Sequence, residues 1–197
     1  MTASHKPVSK VPALAMPAQP LPFDRSYWAA PGRLLAGVYP GDSDPAEAQR
    51  KSAGLLRCGV GLVVNLMHTD EANRSGKRFV DYRPPLEALA REAGRVIQCE
   101  RLPIPDMGVP AVAQMQEILD TIDDANAAGQ VVYVHCWGGK GRTGTVVGCY
   151  LARHGLAVGE AALKRLSALT KAAPYDFGPV PQTSDQCAFV RNWEKGQ

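Results

Sequence analysis

No stretch of this chain approaches the roughly 20 consecutive apolar residues that span a bilayer, so no membrane insertion is expected. The N-terminus carries His5, Lys6 and Lys10, but proline interrupts the adjoining segment VPALAMPAQPLPF every few residues, and no signal peptide is read there. Charge of one sign is lacking too. A formal net charge of +3, with its basic residues scattered, argues against a nucleic-acid stripe or a polybasic membrane segment and leaves room for a compact anionic ligand. Cys58, Cys99, Cys136, Cys149 and Cys187 make an odd number of thiols, with no C-x-x-C pair and no histidines at zinc-ligand spacing. A reduced, cytoplasmic protein without a metal site or cofactor is therefore expected, in which Cys58, Cys99, Cys149 and Cys187 serve as small apolar side chains. Internal repeats are also missing.

What is present suits one domain: 197 residues, 45% of them hydrophobic, can bury a substantial core. Residues 1–23 are proline-rich and aperiodic and read as a disordered arm, leaving 24–197 as the folded unit. GRLLAGVYPG reads as a short strand closed by a turn. SDPAEAQRKSAGLLRCG reads as a helix with Asp44 at its cap, Pro45 in its first turn and Gly59 past its end. GLVVNLM is a continuous apolar run of the kind found in strands covered on both faces. Next in order come PPLEALAREAG (helix), RVIQCERLPI (strand), a helix from Pro110 carrying Val112, Met115, Ile118, Leu119 and Ile122, and the strand VVYV. RTGTVVGCYLARHG, GEAALKRLSAL and SDQCAFVRNW read as three further helices. The alternation predicts an α/β layer sandwich with a mostly parallel central sheet flanked by helices, and ligands in such folds sit beyond the carboxyl ends of the strands.

One segment lies at such an end. In VHCWGGKGRTGT a thiol, four glycines, a lysine and an arginine stand between the strand VVYV and a helix. Successive backbone N–H groups of Trp137, Gly138, Gly139, Lys140 and Gly141, with the positive end of the following helix dipole, form a cradle for an anion of phosphate size. Cys136 stands at its floor, where those donors and a nearby guanidinium favour thiolate over thiol and make a nucleophile. Arg142 can grip two phosphoryl oxygens with its planar fork, and the Thr143 hydroxyl can donate to the sulfur when it leaves.

The spacing His-Cys, five residues, Arg, Thr-Gly resembles the signature loop of the cysteine-based protein tyrosine phosphatase superfamily, in its dual-specificity branch. The resemblance extends from about Gly32 to Trp193 and is similar in pattern to the cyclin-dependent kinase inhibitor-associated phosphatases, although no kinase partner carries over. It implies a tyrosine-phosphatase-like fold and a phosphocysteine intermediate, with His135 hydrogen-bonding the loop backbone rather than transferring protons. It also implies an aspartic acid on an upstream loop, and LPIPDMGVP places Asp106 there as the general acid. Asp106 stands too far before Pro110 to cap the next helix; Asp81 and Asp70 are the fallback candidates. PQTSDQCAF resembles the family's glutamine loop, with Gln182 and Gln186 at the matching positions and Gln186 expected to position the attacking water. A cap at Thr183 or Ser184 competes with that reading.

Substrate choice rests on the variable loop positions. Lys140 makes GGKGR similar to the loops of phosphoinositide and inositol-phosphate phosphatases, whereas Trp137 occupies a position that is commonly basic there. A phosphorylated protein is the first expectation, and a small phosphorylated substrate such as an inositol phosphate is the alternative. A non-catalytic phosphoprotein-binding pseudophosphatase fits less well, since such proteins lose the cysteine, arginine or acid. Low-molecular-weight phosphatases and arsenate reductases carry the loop near the N-terminus with the acid downstream, the reverse of the order here.

Overall fold

Strand β5, Val131–His135, is the axis on which the rest is assembled, and it delivers the glycine-rich loop. A computed structural model describes residues 19–197. Around β5 lie β1 (Ser26–Ala30), β2 (Leu34–Gly37), β3 (Val60–Asn65) and β4 (Gln98–Arg101), in the sheet order β1-β2-β5-β3-β4. Only the β1–β2 pair is antiparallel. All six residues of β3 are buried, as expected of a strand covered on both faces, while the edge strand β4 has no buried residue.

The helices are α1 (Pro45–Arg57), α2 (Arg83–Glu92), α3 (Val112–Ala127), α4 (Arg142–Arg153), α5 (Glu160–Lys171) and α6 (Ser184–Arg191). α1 carries β2 to β3 and α2 carries β3 to β4 in one direction across the sheet, whereas α3 carries β4 back to β5. Parallel crossovers are right-handed, so reversing direction moves the helix to the opposite face. α1 and α2 pack together accordingly, and α4 packs with α3, α5 and α6. Local chemistry agrees with the helix limits: the Asp44 side chain accepts from the Ala46 N–H at 3.0 Å and Pro45 opens α1.

Two differences from the sequence reading concern the N-terminal side. Strand β1 escapes detection because SYWAA has neither alternation nor β-branched residues; it is held by pairing with β2. The expected arm falls largely at residues 1–18, outside the described residues, but its end is packed. Phe23 is buried edge-on against Tyr133, with centroids 5.9 Å apart, and Trp28 Nε1 donates to the Pro20 carbonyl at 3.1 Å. Leu21 also packs against the core, so the folded unit extends upstream of residue 24. Phe23→Ala should therefore cost about 3 kcal/mol of unfolding free energy, read from urea denaturation; a change near zero would return this segment to the arm.

Candidate active site

The loops that leave β3, β4 and β5 all emerge at the carboxyl edge of the sheet. The β5 loop begins at Cys136, 3% exposed, and ends where α4 starts at Arg142. Among the described residues, the N–H groups of Trp137, Gly138, Gly139, Lys140 and Gly141 donate to no protein acceptor. Gly139, at φ +69°, lies so close to Gly37 that a Cβ would stand 2.6 Å from its carbonyl carbon, so only glycine lets the loop pass there. A cavity of about 770 Å³ opens above the loop, lined by Cys136, Gly141, Arg142, Asp106 and Gln182, with Lys140 at its wall.

Arg142 is held in place by its surroundings. Its side chain is 2% exposed; Nη1 donates to Glu71 Oε1 at 2.5 Å and Nη2 to Glu71 Oε2 at 3.0 Å. Nη1 also reaches the carbonyls of Leu66 and Ile104, both at 3.3 Å. Burial works against the charged guanidinium, but Glu71, Cys136 and Asp106 more than offset it, and its pKa is raised. Glu71, next to the fallback candidate Asp70, is not among the expected site residues. The only signal for it was a carboxylate just beyond a buried strand's carboxyl end.

Asp106 Oδ1 lies 3.0 Å from Arg142 Nη2 at the cavity mouth, with its side chain 59% exposed. It does not cap α3, whose N-cap is Ala111. A turn carries it: the Gly108 N–H donates to the Pro105 carbonyl at 3.0 Å, and Met107 takes φ +61°, a conformation that disfavours a side chain. The fallback acids are placed elsewhere; neither Asp70 nor Asp81 lines this cavity, and Asp81 pairs with Arg83 at 2.7 Å.

His135 is fully buried between Tyr82, whose hydroxyl is 2.7 Å from Nε2, and the Cys136 carbonyl, 3.2 Å from Nδ1. A carbonyl only accepts, so Nδ1 carries the hydrogen and Nε2 accepts from Tyr82. Burial, only partly countered by the carbonyl contact, pushes the imidazole pKa down to about 3, so the ring is neutral near pH 7. Trp137 is half-buried and packs edge-on against Phe79, 5.6 Å between centroids.

Two expected contacts take another form. The Thr143 hydroxyl is fully buried without a hydrogen-bond partner among the described residues, so it does not bond the Cys136 sulfur. Gln186, expected to hold water, is fully buried and its side chain is engaged. Its Oε1 accepts from the N–H groups of Gln182 and Thr183, at 3.1 and 3.2 Å, completing a capping box on α6. Its Nε2 donates to the Gly108 carbonyl at 3.0 Å, tying α6 to the turn that carries Asp106. Gln182 is the glutamine that faces the cavity.

Residues 24–196 match the family model described as Swiss Army Knife protein, DSP-PTPase phosphatase domain. Dual specificity protein phosphatase CDC14B of Mus musculus is 46% identical over 50 residues, 25% of this chain; the chain spans only 10% of that protein's length. Among solved structures, Tk-PTP in the active form is similar with a TM-score of 0.61 at 24% identity, over 86% of this chain and 96% of that one. Kinase associated phosphatase (KAP) gives 0.60 at 23% identity, over 80% and 83%. Both likenesses are likenesses of fold, and they agree with the sheet and helices described above.

The geometry generates two expectations. Gln186→Glu keeps an acceptor for Gln182 and Thr183 but loses the donor to Gly108, so turnover of phosphate esters with poor leaving groups should fall roughly tenfold or more, and that of activated aryl phosphates less. Equal losses, with slowed breakdown of a covalent intermediate, would restore the water-positioning role. The second concerns His135. An unfolded histidine protonates near pH 6.5 and the folded one only near pH 3. The unfolded state thus binds more protons between those values, and stability should drop by about 1.4 kcal/mol per pH unit as pH falls through that window. Urea melts at several pH values should show the slope reduced in His135→Asn.

Proposed function

The chain belongs to the DSP-PTPase phosphatase domain family, in the dual-specificity branch of the cysteine phosphatases, and from that premise we propose that it hydrolyses phosphorylated protein through a phosphocysteine on Cys136. The observation that carries this reading is a loop of unpartnered amides whose Trp137, Gly138, Lys140 and Gly141 line the same cavity as Cys136, Arg142 and Asp106. A phosphoryl group seated there has its oxygens met by backbone donors and by a guanidinium already oriented by Glu71.

In the first step the Cys136 thiolate attacks phosphorus and the bond to the ester oxygen breaks. Asp106, protonated, gives that oxygen its proton; the incoming phosphoryl oxygens take over the Arg142 Nη2 contact that Asp106 now makes. In the second step water attacks the phosphocysteine, sulfur departs as thiolate, and Asp106 takes the proton. Gln182, at the cavity wall, orients that water, and the Thr143 hydroxyl, free of any other partner, turns toward the departing sulfur. His135 supports the loop through the Cys136 carbonyl and moves no proton.

A cytoplasmic setting belongs to the same reading, because oxidation of the thiolate would end catalysis. Among the described residues no helix is long and apolar enough to cross a membrane. A second reading, hydrolysis of an inositol phosphate or phosphoinositide, is favoured by Arg25, Arg74 and Lys140 at the cavity wall. Trp137 favours the first, since its ring can stack on a phosphotyrosine.

Cys136→Ser should abolish turnover while retaining binding of phosphate analogues, and Asp106→Asn should lower kcat by roughly 10²–10⁴ on esters with poor leaving groups and by less on activated aryl phosphates. Rapid acid quench of the wild-type protein, followed by mass spectrometry, should locate the phosphoryl group on Cys136. Turnover by Cys136→Ser, or equal small losses for both substrate classes in Asp106→Asn, would contradict these roles.

A further inference from the structure

A second cavity, of about 230 Å³, lies beside the catalytic one and shares Arg25 and Trp137 with it. Its outer wall is the segment from Asn73 to Val80, and that wall is preformed. Asn73 Oδ1 accepts from the Ser75 and Lys77 N–H groups, both at 3.0 Å, and from the Ser75 hydroxyl at 2.7 Å; the Asn73 N–H donates to the Lys77 carbonyl at 2.9 Å. Phe79 pins the segment by packing on Tyr39, 4.9 Å between centroids, as well as on Trp137.

This turn displays Arg74, Lys77 and Arg78, all exposed. Among the described residues none of the three has a carboxylate partner, nor does Arg25 or Lys140. The Arg74 guanidinium lies 6.0 Å from the Trp137 ring centroid, and that of Arg25 lies 4.3 Å from the ring of Tyr175. Lys51 also lines the smaller cavity but is neutralised by Asp42 at 2.8 Å. Cations gathered on one ordered turn without carboxylate partners repel one another and raise the potential that meets an approaching anion.

We propose that the smaller cavity is a second anion subsite, in which Lys77 and Arg78 bind an acidic side chain flanking the phosphorylated residue of a peptide substrate. The proposal rests on the phosphoprotein reading of the catalytic cavity. Trp137 forms the wall between the two cavities, so the second anion must reach past its ring. An extended peptide advances roughly 3.3–3.6 Å per residue and carries flexible side chains, so it can straddle that wall. The shared Arg25 and the overhanging Arg74 line the path between the two.

The test compares kcat/KM for phosphotyrosyl peptides that differ only in carrying Glu or Gln at the flanking positions. In wild-type protein at low ionic strength the Glu peptides should be better by about threefold to tenfold, a difference that shrinks as salt is added. Lys77→Glu combined with Arg78→Glu should remove or invert that preference, with circular dichroism melts verifying the fold. No preference in wild type, or one that survives the double substitution, would overturn the proposal. So would dependence on Lys77 and Arg78 seen only in the turnover of inositol polyphosphates. A wild-type protein that turns over no phosphopeptide but does hydrolyse inositol phosphates would instead overturn the phosphoprotein reading beneath it.

Discussion

A guanidinium with 2% of its side chain exposed is the constraint around which this molecule is organised. Burying that charge without partners would be prohibitive, and Arg142 meets the requirement by drawing on the loops that follow β3 and β4 at the carboxyl edge of the sheet. Glu71 and the Leu66 carbonyl come from the segment after β3, Asp106 and the Ile104 carbonyl from the segment after β4, and Arg142 itself opens α4 after the β5 loop. Satisfying the charge therefore fixes three loops relative to one another. Its Nη2 joins Glu71 to Asp106, so the group that orients the arginine and the group proposed to donate the proton are set by one planar fork.

The same economy of parts is visible at α6. A capping-box glutamine ordinarily serves only its own helix, yet Gln186 also holds the Gly108 carbonyl and so limits where the Asp106 turn can go. The turn is under tension of its own, since Met107 adopts a backbone conformation that costs on the order of 1 kcal/mol or more for a residue with a Cβ. An anchor at one end keeps that strained turn near the cleft, which matters for an acid whose side chain is otherwise largely in solvent. Behind the loop, His135 is kept neutral by burial and fixed in one tautomer by the Cys136 carbonyl, so the loop rests on a support that does not change its charge near pH 7.

Charge around the mouth is distributed unevenly. Of the cations around the two cavities, Lys51 and Arg142 are paired with carboxylates, whereas Arg25, Arg74, Lys77, Arg78 and Lys140 have no such partner among the described residues. In a chain whose formal net charge is only +3, this local surplus is produced by the path of the backbone. Residues 73–80 come against Trp137 because Phe79 packs there and the Tyr39 hydroxyl donates to the Val80 carbonyl.

The amino-acid sequence by itself determined the features that depend on neighbours along the chain. Apolar periodicity, proline and glycine punctuation and the Asp44 cap delimit α1 through α6 and four of the five strands, because those signals act within a few residues. The signature loop was legible for the same reason: Cys136, its five amides and Arg142 are contiguous, so their chemistry needs only a strand before them and a helix after them. Tertiary structure alone decided the rest. β1 exists because β2 offers it an edge, Phe23 is core because Tyr133 lies across from it, and Glu71 is joined to Arg142 across 71 positions of sequence. In PQTSDQCAF the resemblance assigns the attacking water to Gln186, yet Gln182 is the one that lines the cleft and Gln186 is spent on Thr183 and Gly108. Burial and hydrogen-bond saturation make that distinction, and both are properties of chain segments brought together from far apart, which no local pattern encodes.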